Sequence, residues 1–306
     1  MNDFKYAIDV RNVTKSFSKR VVVNKVSLQV EKGTVYGFLG PNGSGKTTFL
    51  RMICGLLVPD SGEGTCLGHD VIKEQKLIKD KIGYMTQKFS LYTDLTVREN
   101  LDFTARLYGV KNRKQAIDKI IEEHGLGQFN KIIAKNLSGG WKQKLALGAC
   151  LIHEPVLLLL DEPTAGVDPL ARREFWDTIQ KLSMEKGITA LVTTHYMDEA
   201  ERCQRLAYLA YGDMLTKGTI DDIISREGLY TWIVKGPNLL NLAIELRKLK
   251  EVEQVLAFGN ILHLSSRDKS EVERVIPTKI DKNHEFYPVS TSLEDIFINL
   301  MSKARK

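Results

Sequence analysis

The sequence predicts an α/β fold for most of the chain and a small α+β domain after it. Residues 40–47 form a glycine-rich segment between a strand-like run at 35–39 and a helix-like run at 47–55. Residues 156–160 are all aliphatic, as expected for a strand of a parallel sheet that helices cover on both faces. Residues 229–289 follow the order β-α-β-β-α-β, which is the ferredoxin-like pattern. These observations predict a mixed sheet core and a separate accessory domain.

The chain of 306 residues is long enough for one large domain and a smaller one. We expect the large domain over residues 1–227 and the ferredoxin-like domain over 228–306. A helical subdomain is expected at about 88–155, where Thr96 and Glu99 have the spacing of a capping box. Residues 228–306 carry no evident catalytic constellation, so an accessory or dimerisation role is the main interpretation and ligand sensing is the alternative.

The composition is that of an ordinary globular protein, with 43% apolar and 27% charged residues. The longest aliphatic run is far too short to span a bilayer, and no leader sequence opens the chain, so we expect a cytoplasmic protein unless another chain recruits it. The four cysteines are scattered, which indicates free thiols in a reducing compartment. The net charge of +6 is compatible with a membrane surface or nucleic acid, although dispersed solubilising charge explains it more simply.

Residues 40–47 match the pattern G-x-x-x-x-G-K-[ST] at every fixed position. Glycines in such a loop let backbone N–H groups turn towards a phosphate at the positive end of the following helix. We expect Lys46 to reach the outer phosphates and the Thr47 hydroxyl to ligate Mg²⁺. A glycine-rich turn that matches by chance is the alternative. The residues expected to contact a nucleotide here are Gly40, Pro41, Asn42, Gly43, Ser44, Gly45, Lys46, Thr47 and Thr48.

Polar side chains follow several predicted strands, at the edge where open α/β sheets bind ligands. Asp161 comes directly after the aliphatic strand and can hold Mg²⁺, and Glu162 can accept a proton from an attacking water or orient it. Gln87 and His195 follow two other predicted strands. Gln87 either reaches a metal or water or is an ordinary loop residue, and His195 either contacts phosphate or is structural.

Two further features also have a structural and a functional interpretation. Phe17 precedes the phosphate loop and either stacks on an adenine ring or packs at a sheet edge. Ser138, Gly139 and Gly140 open a predicted helix, where they form either a plain N-cap or an anion site.

Over about residues 6–220, these features together resemble the ATP-binding subunit of an ATP-binding cassette (ABC) transporter, a P-loop NTPase. The resemblance identifies residues 40–47 as the Walker A loop and 156–161 as Walker B. It implies that the catalytic residues are Glu162, as the catalytic glutamate, Gln87 in the Q-loop and His195 as the switch histidine. It also implies that Gln87, with Thr47 and Asp161, contributes to the Mg²⁺ site.

The same resemblance gives roles to residues outside these motifs. It implies that Phe17 stacks on adenine and that residues 165–168, ending in Asp168, form the D-loop of the nucleotide site. It identifies residues 137–140 as the signature, whose Ser138, Gly139 and Gly140 contact ATP held by the opposite subunit. Trp141 stands where the family usually has glutamine, a departure that bears on contacts to the ribose and on the turnover rate.

The function that the resemblance implies is ATP hydrolysis, with ATP and Mg²⁺ as cofactors, that powers a separate transmembrane permease. Residues 292–297 are similar to the tail of ABC-2 exporter ATPases of the daunorubicin-resistance kind, so we expect an ABC-2-type permease and export. The second ATP-binding subunit would be an identical chain or a homologue, and no nucleic acid is expected. The implied location is peripheral, at the cytoplasmic face of the plasma (inner) membrane. The alternatives are a soluble ABC ATPase that acts on ribosomes or DNA and a nucleotide-sensing binder.

Overall fold

The computed structural model describes residues 4–304. The chain divides into two compact units, with the boundary between Met214 and Leu215. The domain boundary that the sequence predicts, at residue 227, lies further along the chain. Among the described residues no helix is long and apolar enough to cross a membrane.

The strands belong to three sheets. In chain order they are β1 (Tyr6–Phe17), β2 (Arg20–Glu31), β3 (Val35–Leu39), β4 (Ser61–Cys66), β5 (His69–Asp70), β6 (Ile82–Met85), β7 (Leu157–Asp161), β8 (Thr189–Thr194), β9 (Arg205–Ala210), β10 (Asp213–Gly218), β11 (Tyr230–Lys235), β12 (Gln254–Phe258), β13 (Ile261–Ser266) and β14 (Glu285–Val289).

Helices connect the strands, and three of them also pack on one another as a group. In chain order they are α1 (Lys46–Ile53), α2 (Gln75–Lys79), α3 (Val97–Leu107), α4 (Arg113–Glu123), α5 (Gly139–Leu151), α6 (Pro169–Lys186), α7 (Met197–Ala200), α8 (Ile220–Glu227), α9 (Leu239–Leu246), α10 (Lys269–Val275) and α11 (Leu293–Ala304). The group is α3, α4 and α5, which pack on one another and lie within the predicted helical subdomain.

The sheet that positions the site has the strand order β10-β9-β3-β8-β7-β6. Strands β9, β3, β8, β7 and β6 pair in parallel, so their carboxyl ends meet at one edge. A second, antiparallel sheet has the strand order β2-β1-β4-β5. Buried residues of both sheets form one hydrophobic core. The α/β prediction with a mixed sheet core is therefore confirmed.

The aliphatic run of the sequence forms β7, with one correction to its start. Strand β7 covers Leu157–Asp161 and is buried throughout, because helices and neighbouring strands enclose it. Val156 was expected to begin the strand, but its side chain is 53% exposed. It directly follows Pro155, and its backbone is already paired on both sides, since its N–H bonds to the Lys81 carbonyl and its carbonyl accepts from the Thr189 N–H. Val156 therefore lies at the end of the sheet, where its backbone is paired but its side chain is left largely uncovered.

The capping box at the start of the helical subdomain is present. Thr96 caps α3, with its hydroxyl accepting from the Glu99 N–H while the Glu99 carboxylate accepts from the Thr96 N–H. Such reciprocal bonds satisfy two of the free donors at a helix start. The buried face of α3, which includes Val97, Leu101 and Ala105, explains why this short helix is stable.

The second unit contains a four-stranded sheet in the strand order β12-β13-β11-β14. All three pairings are antiparallel, and α9 and α10 follow β11 and β13 along the chain. The core of this unit includes Trp232, Leu246, Leu264 and Val272, so both helices pack on the same face of the sheet.

Candidate functional site

The glycine-rich loop lies between β3 and α1, where close backbone contacts require its glycines. A β-carbon on Gly45 would lie 2.4 Å from the carbonyl oxygen of Val22, and its φ of 107° is unfavourable for other residues. A β-carbon on Gly40 would lie 2.0 Å from the carbonyl oxygen of Leu209. The Ser44 hydroxyl is buried and has no hydrogen-bond partner among the described residues. A phosphate oxygen is a ligand that suits such a loop.

The ammonium group of Lys46 is held over this loop by oxygen atoms. Its Nζ donates to the carbonyl oxygens of Gly40, at 2.7 Å, and Pro41, at 3.1 Å. It also forms an ion pair of 3.1 Å with Oε1 of Glu162. Both charged side chains are buried, which strengthens their attraction over that of a surface pair.

Thr47 and Asp161 lie together at the carboxyl edge of the sheet. The Thr47 hydroxyl donates to Oδ1 of Asp161 at 3.0 Å, and the Thr193 hydroxyl donates to the same atom at 2.8 Å. Within residues 4–304, no cluster of three or more histidine, cysteine or acidic side chains is arranged to hold a metal by itself. Mg²⁺ usually binds through one or two carboxylates with phosphate and water, so a hydroxyl beside one carboxylate fits that ion.

Glu162 is the centre of the polar contacts at this edge. Gln87 Nε2 donates to its Oε2 at 3.0 Å, and Nδ1 of His195 lies 3.2 Å from the same atom. Glu162 has a φ of 44°, an uncommon conformation for a residue with a side chain. Its backbone N–H donates to the Thr193 hydroxyl at 2.8 Å, which holds this turn.

A cavity of about 220 Å³ lies at the phosphate loop. The residues lining it are Val22, Asn42, Gly43, Ser44, Gly45, Lys46, Thr47, Thr48, Gln87 and Glu162. Val22 and Thr193 belong to the site but were not predicted from the sequence. Val22 contributes its backbone oxygen, which no sequence pattern marks, whereas Thr193 directly precedes the strand-end Thr194 and His195 and had a positional signal.

Other predicted site residues do not line this cavity. Phe17 is 48% exposed, with the Lys15 ammonium 5.8 Å from its ring centre. Asp168 caps α6 by accepting from the Ala171 N–H at 3.0 Å. Ser138 is the exposed N-cap residue of α5 and makes no side-chain cap bond.

Trp141 lies in the first turn of α5, where it packs within its own chain. Its ring centre is 4.3 Å from that of Phe129, and the Lys144 ammonium lies 4.5 Å from the Trp141 ring centre. Lys144 in turn forms a 2.9 Å ion pair with Glu174 of α6. The indole therefore links the start of α5 to the turn around Phe129.

A protein-family model described as "ABC transporter" matches residues 23–165. The Escherichia coli (strain K12) "Probable multidrug ABC transporter ATP-binding protein YbhF" is 45% identical over 218 residues, which are 71% of this chain and 38% of that protein. This chain thus aligns with well under half of that relative's length. The Rhizobium sp. (strain N33) "Nod factor export ATP-binding protein I" is 37% identical over 303 residues, 98% of each chain.

Solved structures agree with these sequence relatives. A dimeric ATP-binding cassette, determined in a post-hydrolysis state bound to ADP and Pi, has a TM-score of 0.65 and 27% sequence identity. The alignment covers 70% of this chain and 98% of that cassette. With a 37% identical relative aligned along nearly its whole length, this chain belongs to the family of ABC transporter ATP-binding proteins.

Proposed function

We propose that this chain hydrolyses ATP to ADP and phosphate and thereby powers a separate membrane permease of the ABC-2 exporter type. The observation that carries the proposal is the position of Glu162 beside the phosphate loop. Its carboxylate contacts Lys46, Gln87 and His195. Lys46 begins α1, whereas Gln87 follows β6 and His195 follows β8, so three separate segments meet at Glu162. A carboxylate held beside a phosphate-binding lysine is suited to phosphoryl transfer to water.

In the proposed reaction the phosphate loop and Lys46 bind the β- and γ-phosphates of ATP. Glu162 orients a water molecule and takes its proton as the water oxygen attacks the γ-phosphorus and the bond to ADP breaks. Gln87 and His195 hold the carboxylate of Glu162 in place through Oε2. Mg²⁺, bound by Thr47 and Asp161 with help from Gln87, would neutralise negative charge on the phosphates.

The proposed active unit is a dimer of two such cassettes, as a homodimer or with a homologue. Ser138 and Gly139 are exposed at the start of α5, so a partner subunit can reach them. Together with Gly140 they would contact the ATP of the opposite subunit. Phe17 would stack on adenine with its exposed ring, and Asp168 would lie next to the shared site. The similar solved cassette is itself a dimer bound to ADP and Pi.

The proposed permease is another chain, and the cassette is peripheral to the cytoplasmic face of the membrane. The names of the relatives, a multidrug transporter protein and a Nod factor export protein, support export. A small aromatic patch on the helical subdomain is suited to a protein contact: Tyr92 and Phe103 meet edge to face at 4.8 Å, and Leu107 is 72% exposed.

The second unit is proposed to be a ferredoxin-like accessory domain. Its strand order, β12-β13-β11-β14, and its antiparallel pairings support that assignment.

The direct test is phosphate release by the purified chain, alone and together with the membrane protein encoded in a neighbouring reading frame. We expect ATP-dependent phosphate release that EDTA abolishes and that the membrane partner increases. No phosphate release in either preparation would contradict the proposed function.

A further inference from the structure

Glu199 of α7 is a buried carboxylate that has no role in the proposed reaction. Its side chain is 1% exposed. The Thr164 hydroxyl donates to Oε1 in a short hydrogen bond, and the Thr194 hydroxyl donates to Oε2 at 2.6 Å. One planar carboxylate thus binds two threonines that are 30 residues apart in the chain. We call Thr164, Arg172, Thr194 and Glu199 the Glu199 cluster.

Arg172 supplies the positive charge of this cluster. Its Nε lies 3.5 Å from Oε1 of Glu199, and its guanidinium carbon lies 4.2 Å from the centre of the Tyr196 ring. A buried carboxylate needs such a partner, since an unpaired buried charge is costly. Arg172 is in the first turn of α6, so the cluster also contacts the helix that Asp168 caps.

The two threonines are neighbours of the proposed catalytic residues. Thr164 follows Glu162 by two residues, and Thr194 directly precedes His195. The Thr194 hydroxyl also accepts from the Tyr196 N–H at 3.0 Å, which fixes the turn on the far side of His195. Because Glu199 binds both threonines, it fixes the separation of the two loops that bring Glu162 and His195 to 3.2 Å.

Building on the proposed ATPase function, we propose that Glu199 is a positioning residue for hydrolysis. It acts through Thr164 and Thr194, which hold the loop of Glu162 and the loop of His195 in register. Glu199 does not line the cavity of the phosphate loop, so its effect falls on the chemical step and not on ATP binding. If the two loops lose this register, the Glu162 carboxylate and the water are no longer aligned and turnover falls.

A matched pair of variants tests the proposal. Thr164→Val removes the hydroxyl that binds Glu199, whereas Thr164→Ser retains it. We expect Thr164→Val and Glu199→Gln to lower kcat about tenfold, with an ATP dissociation constant within about twofold of wild type. Thr164→Ser should stay close to wild type. Glu201→Gln, at the exposed end of α7, is the control for a nearby glutamate.

A second measurement needs no ATP hydrolysis. The chain has six histidines, and the ring signal of His195 in an NMR spectrum is assigned by its loss in His195→Gln. We expect this signal to move in Thr164→Val and Glu199→Gln and to stay in place in Thr164→Ser. If the wild type releases no phosphate, the proposed function fails, and the His195 signal alone decides the role of Glu199.

Only variants that are shown to be folded by their thermal unfolding are compared. If Glu199→Gln does not fold, Thr164→Val and Thr164→Ser carry the test, because each changes only one small side chain. A His195 signal that does not move in Thr164→Val, or a kcat within about twofold of wild type in that variant, would overturn the proposal. Equal kcat losses in Thr164→Val and Thr164→Ser would overturn it too.

Discussion

Lys46 and Glu162 form a buried ion pair, in which Nζ lies 3.1 Å from Oε1 and the side chains are 4% and 8% exposed. This contact joins the group proposed to bind phosphate to the group proposed to accept the proton. A γ-phosphate in the loop would compete with Glu162 for the lysine. We expect ATP binding to weaken the ion pair and leave the carboxylate available to water.

Glu162→Gln should bind ATP but hydrolyse it at least about 100-fold more slowly than wild type, because the amide keeps the shape and lacks the basicity. The variant should accumulate as an ATP-bound dimer. Phosphate release and size-exclusion chromatography with ATP measure the two effects. Glu201→Gln is the control, and near-normal turnover in Glu162→Gln would remove Glu162 from the role of base.

Lys46→Ala should weaken ATP binding about 10- to 100-fold, the range expected for hydrogen bonds to charged groups. Alanine leaves only the backbone of the loop to hold the phosphates, and it leaves the Glu162 carboxylate without its positive partner. Equilibrium titration with a fluorescent ATP analogue measures the affinity. Lys25→Ala, at an exposed position of β2, is the control. An unchanged dissociation constant for Lys46→Ala would mean that the loop binds a different ligand.

His124, at the end of α4, should make the stability of the protein depend on pH. The pKa of His124 is lowered from 6.5 to about 4, mainly by burial, with Glu123 opposing the shift and Lys186 and Lys144 adding to it. The unfolded chain therefore binds a proton at higher pH than the native one. The contribution of His124 to stability is fully present above pH 6.5 and is lost as the pH falls towards about 4. The loss lowers the free energy of unfolding by about 3 kcal/mol.

His124→Leu isolates this effect, since Nε2 of His124 makes no hydrogen bond within residues 4–304. Urea unfolding of both proteins from pH 8 to pH 4 gives the free energy of unfolding. The two curves should run parallel above pH 6.5, and the wild type should fall more steeply below it. Parallel curves over the whole range would contradict the buried, neutral state of His124.

The sequence predicted the phosphate loop and its strand closely, because fixed spacing and an apolar run are local signals. Strand β3 covers the predicted residues 35–39. The parallel sheet then explains why Gln87, Glu162 and His195 meet, since all three follow parallel strands. Their catalytic roles remain predictions.

Contacts between distant segments had no such local signal. Glu199 is a glutamate in an otherwise unremarked short helix, and only the folded chain brings it to Thr164 and Thr194. The ion pair of Lys46 with Glu162 likewise depends on the register of β3, β8 and β7. The exposure of Val156 could not be predicted either, because an aliphatic run does not show which of its residues the rest of the fold leaves uncovered.

Ser138 and Glu162 lie far apart in the chain, and we propose that they act on one ATP molecule from opposite subunits. If Ser138 acts on the ATP of the opposite subunit, Ser138→Arg and Glu162→Gln in different subunits damage the same composite site. The other site keeps its own Glu162 and receives an intact Ser138. Arginine is the better probe because its bulk and charge block closure of the dimer, whereas a small residue would remove only one hydrogen bond.

The central measurement is therefore the ATPase activity of an equal mixture of these two variants, with the permease present if the cassette alone stays monomeric. We expect about one quarter of wild-type activity, because half of the randomly mixed dimers keep one of two sites intact. A mixture of Glu162→Gln with His195→Gln is the control and should show no gain, since each subunit then damages its own site. Activity of the first mixture no higher than that of its two parents, with heterodimers shown to form, would contradict the account.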